Sequence, residues 1–278
     1  MLPLKDDQPC FSTPYVTYFL IGLNLVIYLF EWALQVSNPD GLKALIFQFG
    51  VVPSHLTAFL SGSPKYPLPA VALPFLTSMF LHGSWMHVIG NMWFLHIFGD
   101  NIEDYLGHFK YLLFYLLAGL IAMGAQVLVD SSSRVPTLGA SGAIAGVLGA
   151  YFILYPRARV LTAIFLFMFV VPAWILYPSA RLLIALFVLV LWLLVWFLNP
   201  KARALTWFFV FVLWLPAWIF LGYWFILNFF YGTATILAVQ GRNVGGVAFW
   251  AHVGGFIGGA VMVKVFPERR RRYPYACQ

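Results

Sequence analysis

Polar and apolar residues in this chain are segregated into stretches. Continuous apolar runs occupy about 15–36, 84–99, 109–129, 139–155, 160–178, 182–198, 206–231 and 247–266. Most approach the ~20 residues a helix needs to cross ~30 Å of hydrocarbon at 1.5 Å per residue. The pattern predicts an all-α, polytopic transmembrane helical bundle. A transmembrane barrel would show period-2 alternation, which these runs lack. Two connections, Asp130–Arg134 and Tyr155–Arg157, are short and polar. The stretch 37–83 is long, semi-apolar and rich in Pro and Gly, and is expected to lie in the membrane interface.

Composition narrows the class. Of 278 residues, 62% are hydrophobic and 9% charged, and the mean hydropathy is +0.87. A soluble domain would carry roughly a quarter of its residues as Asp, Glu, Lys or Arg. A soluble enzyme, a nucleic-acid binder and a disordered chain are thereby excluded. Cys10 and Cys277 lie near opposite termini and suggest neither a disulfide framework nor a zinc site. Met1–Pro14 contains Lys5, Asp6 and Asp7 and no signal-peptide pattern, so the first span is expected at Tyr15.

An internal repeat lies at an offset of 44 residues: Pro156-Arg157-Ala158-Arg159 and Pro172-Ala173-Trp174-Ile175 recur as Pro200-Lys201-Ala202-Arg203 and Pro216-Ala217-Trp218-Ile219. Such self-similarity indicates a duplicated segment. An insertion that preserves the facing of everything downstream adds an even number of crossings, hence two extra spans and eight in all. With the N-terminus inside, eleven basic residues fall inside, among them Arg269–Arg272, against five outside. This agrees with the positive-inside rule. The expected location is a bacterial inner (plasma) membrane, with N-terminus and basic C-terminal tail cytoplasmic.

Polar residues inside lipid cost free energy unless they find partners or line a wet cavity. Three groups stand out: His82 to Asn91, which includes His87; Gly139-Ala140-Ser141-Gly142; and Ala251-His252-Val253-Gly254-Gly255. His87 and Asn91 are four apart and share a helix face. The topology puts all three groups near the outer side at similar depth. Gly142-x-x-x-Gly146 and Gly254-x-x-x-Gly258, with Gly255-x-x-x-Gly259, give two helices stripes that permit close backbone approach. Close approach is what a Ser hydroxyl and an imidazole on separate helices require. Ser141 is then a nucleophile with His252 as its base, and His87, Asn91 and the Ser141 amide are donors for an oxyanion.

Blander readings exist for each feature. Glycine stripes serve helix packing, and a lone intramembrane Ser bonds its own i−4 carbonyl. His96 and His108 read as interfacial and His55 as solvated. Asp100, Glu103 and Asp104 read as a turn leading to Gly107, with Glu103 either tied to a helix end or solvated. No Asp, Glu, Arg or Lys is expected buried away from span ends, which argues against ion coupling.

On His82-x4-His87-x3-Asn91 with Gly99-Asp100-Asn101-x-Glu103-Asp104, on Gly139-Ala140-Ser141-Gly142 and on Ala251-His252-x-Gly254-Gly255, the chain resembles the rhomboid family of intramembrane serine proteases. The resemblance covers most of 75–155 and 200–266. It implies a six-helix core (about 15–155 and 206–266), which together with the duplicated two-helix insertion (about 157–200) and a basic tail (267–278) makes one membrane-embedded domain over 1–278. It implies a Ser141–His252 dyad without a carboxylate, His87 and Asn91 in the oxyanion hole, and His82 near the cavity mouth in a structural or water-organising role. Gly139 and Gly142 belong with His82 as cavity or structural residues. Three departures stand out. The first loop lacks the Trp-Arg pair of many members. Ala145 stands where some carry an aromatic packed on the catalytic imidazole, leaving Trp250 or Phe249 to substitute. The duplication adds to the six-helix pattern.

The function implied is a serine-type endopeptidase that cleaves in or next to transmembrane segments of single-span or polytopic membrane-protein substrates. The bilayer is its medium, with no nucleic acid, cofactor or metal. Two alternatives stand beside it: a catalytically silent rhomboid-like factor that binds membrane proteins, and a small transporter with a His/Asn/Ser cavity.

Overall fold

The apolar runs expected at 15–36, 109–129, 139–155, 182–198 and 247–266 fold as helices close to those bounds. The structure is a computed structural model and describes residues 1–165, 178–198, 210–238 and 247–269. Strand β1 (Leu2–Asp6) precedes α1 (Tyr15–Ser37), α2 (Pro39–Phe49), α3 (Pro53–Leu60), α4 (Leu68–Thr77), α5 (Trp85–Leu106), α6 (His108–Val129) and α7 (Ser141–Leu154). Then follow β2 (Arg159–Phe165), α8 (Arg181–Leu198), β3 (Val210–Pro216), α9 (Ala217–Ala238) and α10 (Phe249–Met262). Among the described residues, α1, α6 and the Ala217–Thr235 part of α9 are each long and apolar enough to cross a membrane.

Two units form. The larger comprises Gln8–Pro156 and Leu221–Gln278, the smaller Met1–Asp7 and Arg157–Phe220. In the larger unit α7 is the central element, buried on every side from Gly142 to Tyr151 and packed on α5, α6 and α10. A helix apolar all round belongs in such a place. The glycine stripes do what their spacing implies. A Cβ at Gly255 would collide with the Gly142 carbonyl and one at Gly259 with the Gly146 backbone, so α10 lies backbone to backbone on α7.

Other residues depart from expectation. The first loop is three helices, each with a proline in its opening turn. There the missing N–H costs nothing and the fixed φ suits the helix. Asp100–Asp104 is no turn: α5 stays helical to Leu106 and stops at Gly107, whose φ of +78° suits glycine. Glu103 is buried and receives the backbone N–H groups of Val16 and Thr17 in the first turn of α1, so its solvated reading falls. Glu31, within α1, is buried as well, contrary to the expectation of no such acid. Its carboxylate accepts the backbone N–H of His82 at 3.0 Å, joining the loop's end to α1 where no Trp-Arg pair does.

The expected helical bundle is found, and among the described residues strands enter it at Leu2–Asp6 and within and after the duplicated segment. Residues 159–165, expected to open a span over 160–178, are strand β2, and 210–216, within the expected 206–231 span, are β3. β2 pairs antiparallel with β3 from Arg159↔Pro216 to Phe165↔Val210, and antiparallel with β1 on its other edge. Val, Ile, Thr, Phe and Trp suit a pleated surface. Pro216 then ends β3, and Ala217 begins α9 with its N–H bonded to Ala158 O at 2.7 Å. The Asp7 carboxylate accepts from Arg159 Nε at 2.8 Å at the sheet's end. The expected run 182–198 is helix α8, while 166–177 and the repeat's second Pro-Lys-Ala-Arg, 200–203, lie outside the described residues. The described part of the insertion is therefore strand β2 and helix α8.

Candidate active site

The geometry follows from where helices begin. Ser141 is the first residue of α7, where backbone N–H groups have no intrahelical acceptor. Such a terminus carries partial positive charge. Ser84 caps α5 by accepting the His87 N–H at 3.2 Å, which sets His87 in the first turn and Asn91 one turn on. His252 lies in the first turn of α10. Since α7 and α10 each have 14 residues, about 21 Å of helix at 1.5 Å per residue, both are shorter than ~30 Å of hydrocarbon.

Ser141 Oγ stands 2.8 Å from His252 Nε2. His252 is buried, and its Nδ1 lies 2.6 Å from Asn228 Oδ1 on α9. Both members of the pair, with His87 and Asn91, line one cavity of about 900 Å³. Its wall is mixed: Gln126 from α6 and Asp130 just beyond its end, Met86 and Phe94 from α5, Trp224 and Trp250. Gly139 holds φ at +122°, and a Cβ there would sit 2.8 Å from the His87 ring and 3.6 Å from Ser141 Oγ. Only glycine lets the imidazole and the hydroxyl flank one point this closely.

The remaining expected residues act from behind the cavity wall. His82 is buried and absent from the lining; its Nε2 is 2.9 Å from Asn91 Nδ2, so it holds the Asn91 carboxamide and does not sit at the mouth. Gly142 packs toward Ala122 of α6 and Ala251 of α10. The aromatic on the His252 ring is Trp224, with centroids 5.6 Å apart, joined by Phe249 edge-on at 6.5 Å. Trp250 packs on Phe229 instead. His108 bonds Glu103, and His55 stacks on Tyr66. Burial pushes the Cys10 thiol up to about 11, so it stays protonated at neutral pH and is a poor nucleophile.

Sequence reasoning missed Asn228 and Trp224. The Trp224-x-x-x-Asn228 spacing puts both on one helix face, and a lone carboxamide inside a long apolar run is a signal that could have found the second.

A rhomboid-domain family model matches residues 70–202. The chain belongs to the rhomboid family. Rhomboid-like protein 11, chloroplastic, of Arabidopsis thaliana is 31% identical over 142 residues, 51% of this chain and 43% of that protein. The human presenilin-associated rhomboid-like protein, mitochondrial, is 36% identical over 141 residues, 50% of this chain and 37% of its own length. Rhomboid protein 1, mitochondrial, of Saccharomyces cerevisiae is 32% identical over 165 residues, 57% and 41% respectively. The matches thus span less than half of each relative. In this rhomboid His87, Asn91 and Ser141 fall inside the family match, whereas His252 lies beyond it. The pairing of Ser141 with His252 rests on geometry.

Proposed function

We propose that this rhomboid is an intramembrane serine endopeptidase that hydrolyses peptide bonds in or next to transmembrane segments of other membrane proteins. The observation that carries the reading is the 2.8 Å approach of Ser141 Oγ to His252 Nε2 at the wall of a cavity of mixed lining. A serine hydroxyl is a weak nucleophile until a base within about 2.6–3.2 Å takes its proton.

A substrate segment, unwound where its helix is weak, reaches the cavity laterally. Ser141 Oγ adds to the scissile carbonyl carbon while its proton passes to His252 Nε2. The carbonyl oxygen becomes an oxyanion, stabilised by the Ser141 backbone N–H, the His87 ring and the second N–H of the Asn91 carboxamide. Collapse expels the amine, which takes the proton from Nε2 and leaves an ester on Ser141. A cavity water then gives a proton to Nε2, attacks the ester, and releases the new carboxyl end and the free hydroxyl. The excess of basic residues in the stretches assigned inside supports a cytoplasmic N-terminus and a cavity facing the opposite side.

The test is cleavage of single-span substrates by purified protein in proteoliposomes, with products located by mass spectrometry. Wild-type protein is expected to yield two fragments split at one bond near a membrane end, and Ser141→Ala none. Equal fragments from Ser141→Ala would overturn the reading. So would the absence of fragments from wild type across a panel of segments with and without helix-weakening residues. Capture of uncut segments would then favour the silent binding factor.

A further inference from the structure

Asn228 lies within the apolar helix α9 and is buried. Its carboxamide cannot be turned around. Nδ2 donates to the Trp224 carbonyl at 2.8 Å, and a carbonyl only accepts. The other end, Oδ1, therefore faces His252 Nδ1 at 2.6 Å. Since Oδ1 also only accepts, Nδ1 must carry the hydrogen. A neutral imidazole has one N–H. Nε2 is then left bare, and it is the nitrogen 2.8 Å from the Ser141 hydroxyl.

We propose that Asn228 is a positioning residue that fixes His252 in the tautomer able to accept the Ser141 proton. The proposal rests on the reading of Ser141 and His252 as the catalytic pair and deepens it. When Nε2 takes up the serine proton, the Nδ1–H···Oδ1 bond persists and its acceptor end faces the new positive charge. A neutral carboxamide does this without a second ionised group in lipid, where a charge is expensive. The Trp224 face and the Phe249 edge hold the ring from other directions. The Trp224 carbonyl fixes Asn228 while the Trp224 side chain packs on His252, so one turn of α9 sets both the hydrogen bonding and the ring position.

The test uses the full chain in bilayers, with ¹⁵N-labelled histidine, and compares wild type, Asn228→Leu (no acceptor, similar size) and Asn228→Asp (acceptor kept). Ring-nitrogen shifts, assigned to His252 with a His252→Gln control, are read beside kcat and KM on a single-span substrate. Wild type is expected to show the Nδ1–H form. Asn228→Leu should shift His252 toward the Nε2–H form and lower kcat by roughly a hundredfold or more at little change in KM, since a wrong tautomer strikes the chemical step. Asn228→Asp should keep the tautomer and lie within about tenfold of wild type, the scale of a retained acceptor. An Asn228→Leu protein with the wild-type tautomer and wild-type kcat would overturn the proposal. Equal losses in Leu and Asp that track the folded fraction would overturn it too. The tautomer readout does not depend on proteolysis. A tautomer change without cleavage by wild type would support the role of Asn228 and overturn the protease reading.

Discussion

Helix α5 bears a polar cluster at each end, and the two are built on different terms. At the C-terminal end Glu103 is fully buried. Oε1 accepts from Val16 N–H at 2.9 Å and His108 Nδ1 at 2.6 Å, and Oε2 from the Thr17 N–H and hydroxyl at 2.8 Å each. A carboxylate has about four lone-pair sites, and here all four are used. At the N-terminal end His87 and Asn91 line a cavity of about 900 Å³ with Ser141 and His252. Residue types alone do not separate the clusters, since both join histidine to a hydroxyl-bearing side chain or its neighbours. Capacity separates them. A saturated cluster joins helices, while one that opens on a cavity can still act on what comes in.

The largest effect expected from that contrast is at Ser141 and His252. Ser141→Ala or His252→Ala should lower cleavage by about 10⁴-fold or more, as removal of a nucleophile or base does, with helicity and melting temperature held. An active Ser141→Ala protein would erase the distinction between the two ends. Glu103→Leu should do the reverse. Loss of a buried carboxylate with four donors strands those donors and is expected to cost about 3–5 kcal/mol of stability, read by denaturant unfolding in detergent. Cleavage per folded molecule should stay within a few-fold of wild type. A stable but inactive Glu103→Leu protein would join this cluster to the chemistry and break the comparison.

The residues proposed as oxyanion donors come next. His87→Ala and Asn91→Ala should each lower kcat by about 10²–10³-fold with KM little changed, the usual loss for one donor to a developing oxyanion. A change confined to KM would make them substrate-binding residues only. The smallest effect is expected at Gly259, two turns below His252. Gly259→Ala forces a methyl against the Gly146 backbone, an overpacking worth about 1–3 kcal/mol. It should also slow cleavage modestly by spreading α7 from α10. Unchanged stability would show that the two helices are less close than the glycine contacts imply.

Much of the cavity end was legible in the residues. Three polar groups at one depth and two glycine stripes suffice to place Ser141 against His252, because in lipid polar side chains and missing side chains are both rare enough to be informative. Asn228 escaped because it belongs to no repeating pattern, although a lone carboxamide in so apolar a run is itself a signal. Trp224 escaped because aromatic residues are common throughout this chain and mark no one position. The strands β2 and β3 escaped for a different reason. Their residues are apolar on both faces, so the alternation that marks a half-solvated strand is absent, and length alone reads as a span. The saturated end was only half legible. Glu103 could be a solvated acid or a helix tie until the first turn of α1 was seen to meet it.

Activity-based labelling with a fluorophosphonate, followed by peptide mapping, tests the central claim most directly. A phosphonyl adduct on Ser141 Oγ in wild-type protein, lost in His252→Ala and retained in Glu103→Leu, is the result expected. Absence of an adduct on Ser141, or labelling that is indifferent to His252, would contradict the account.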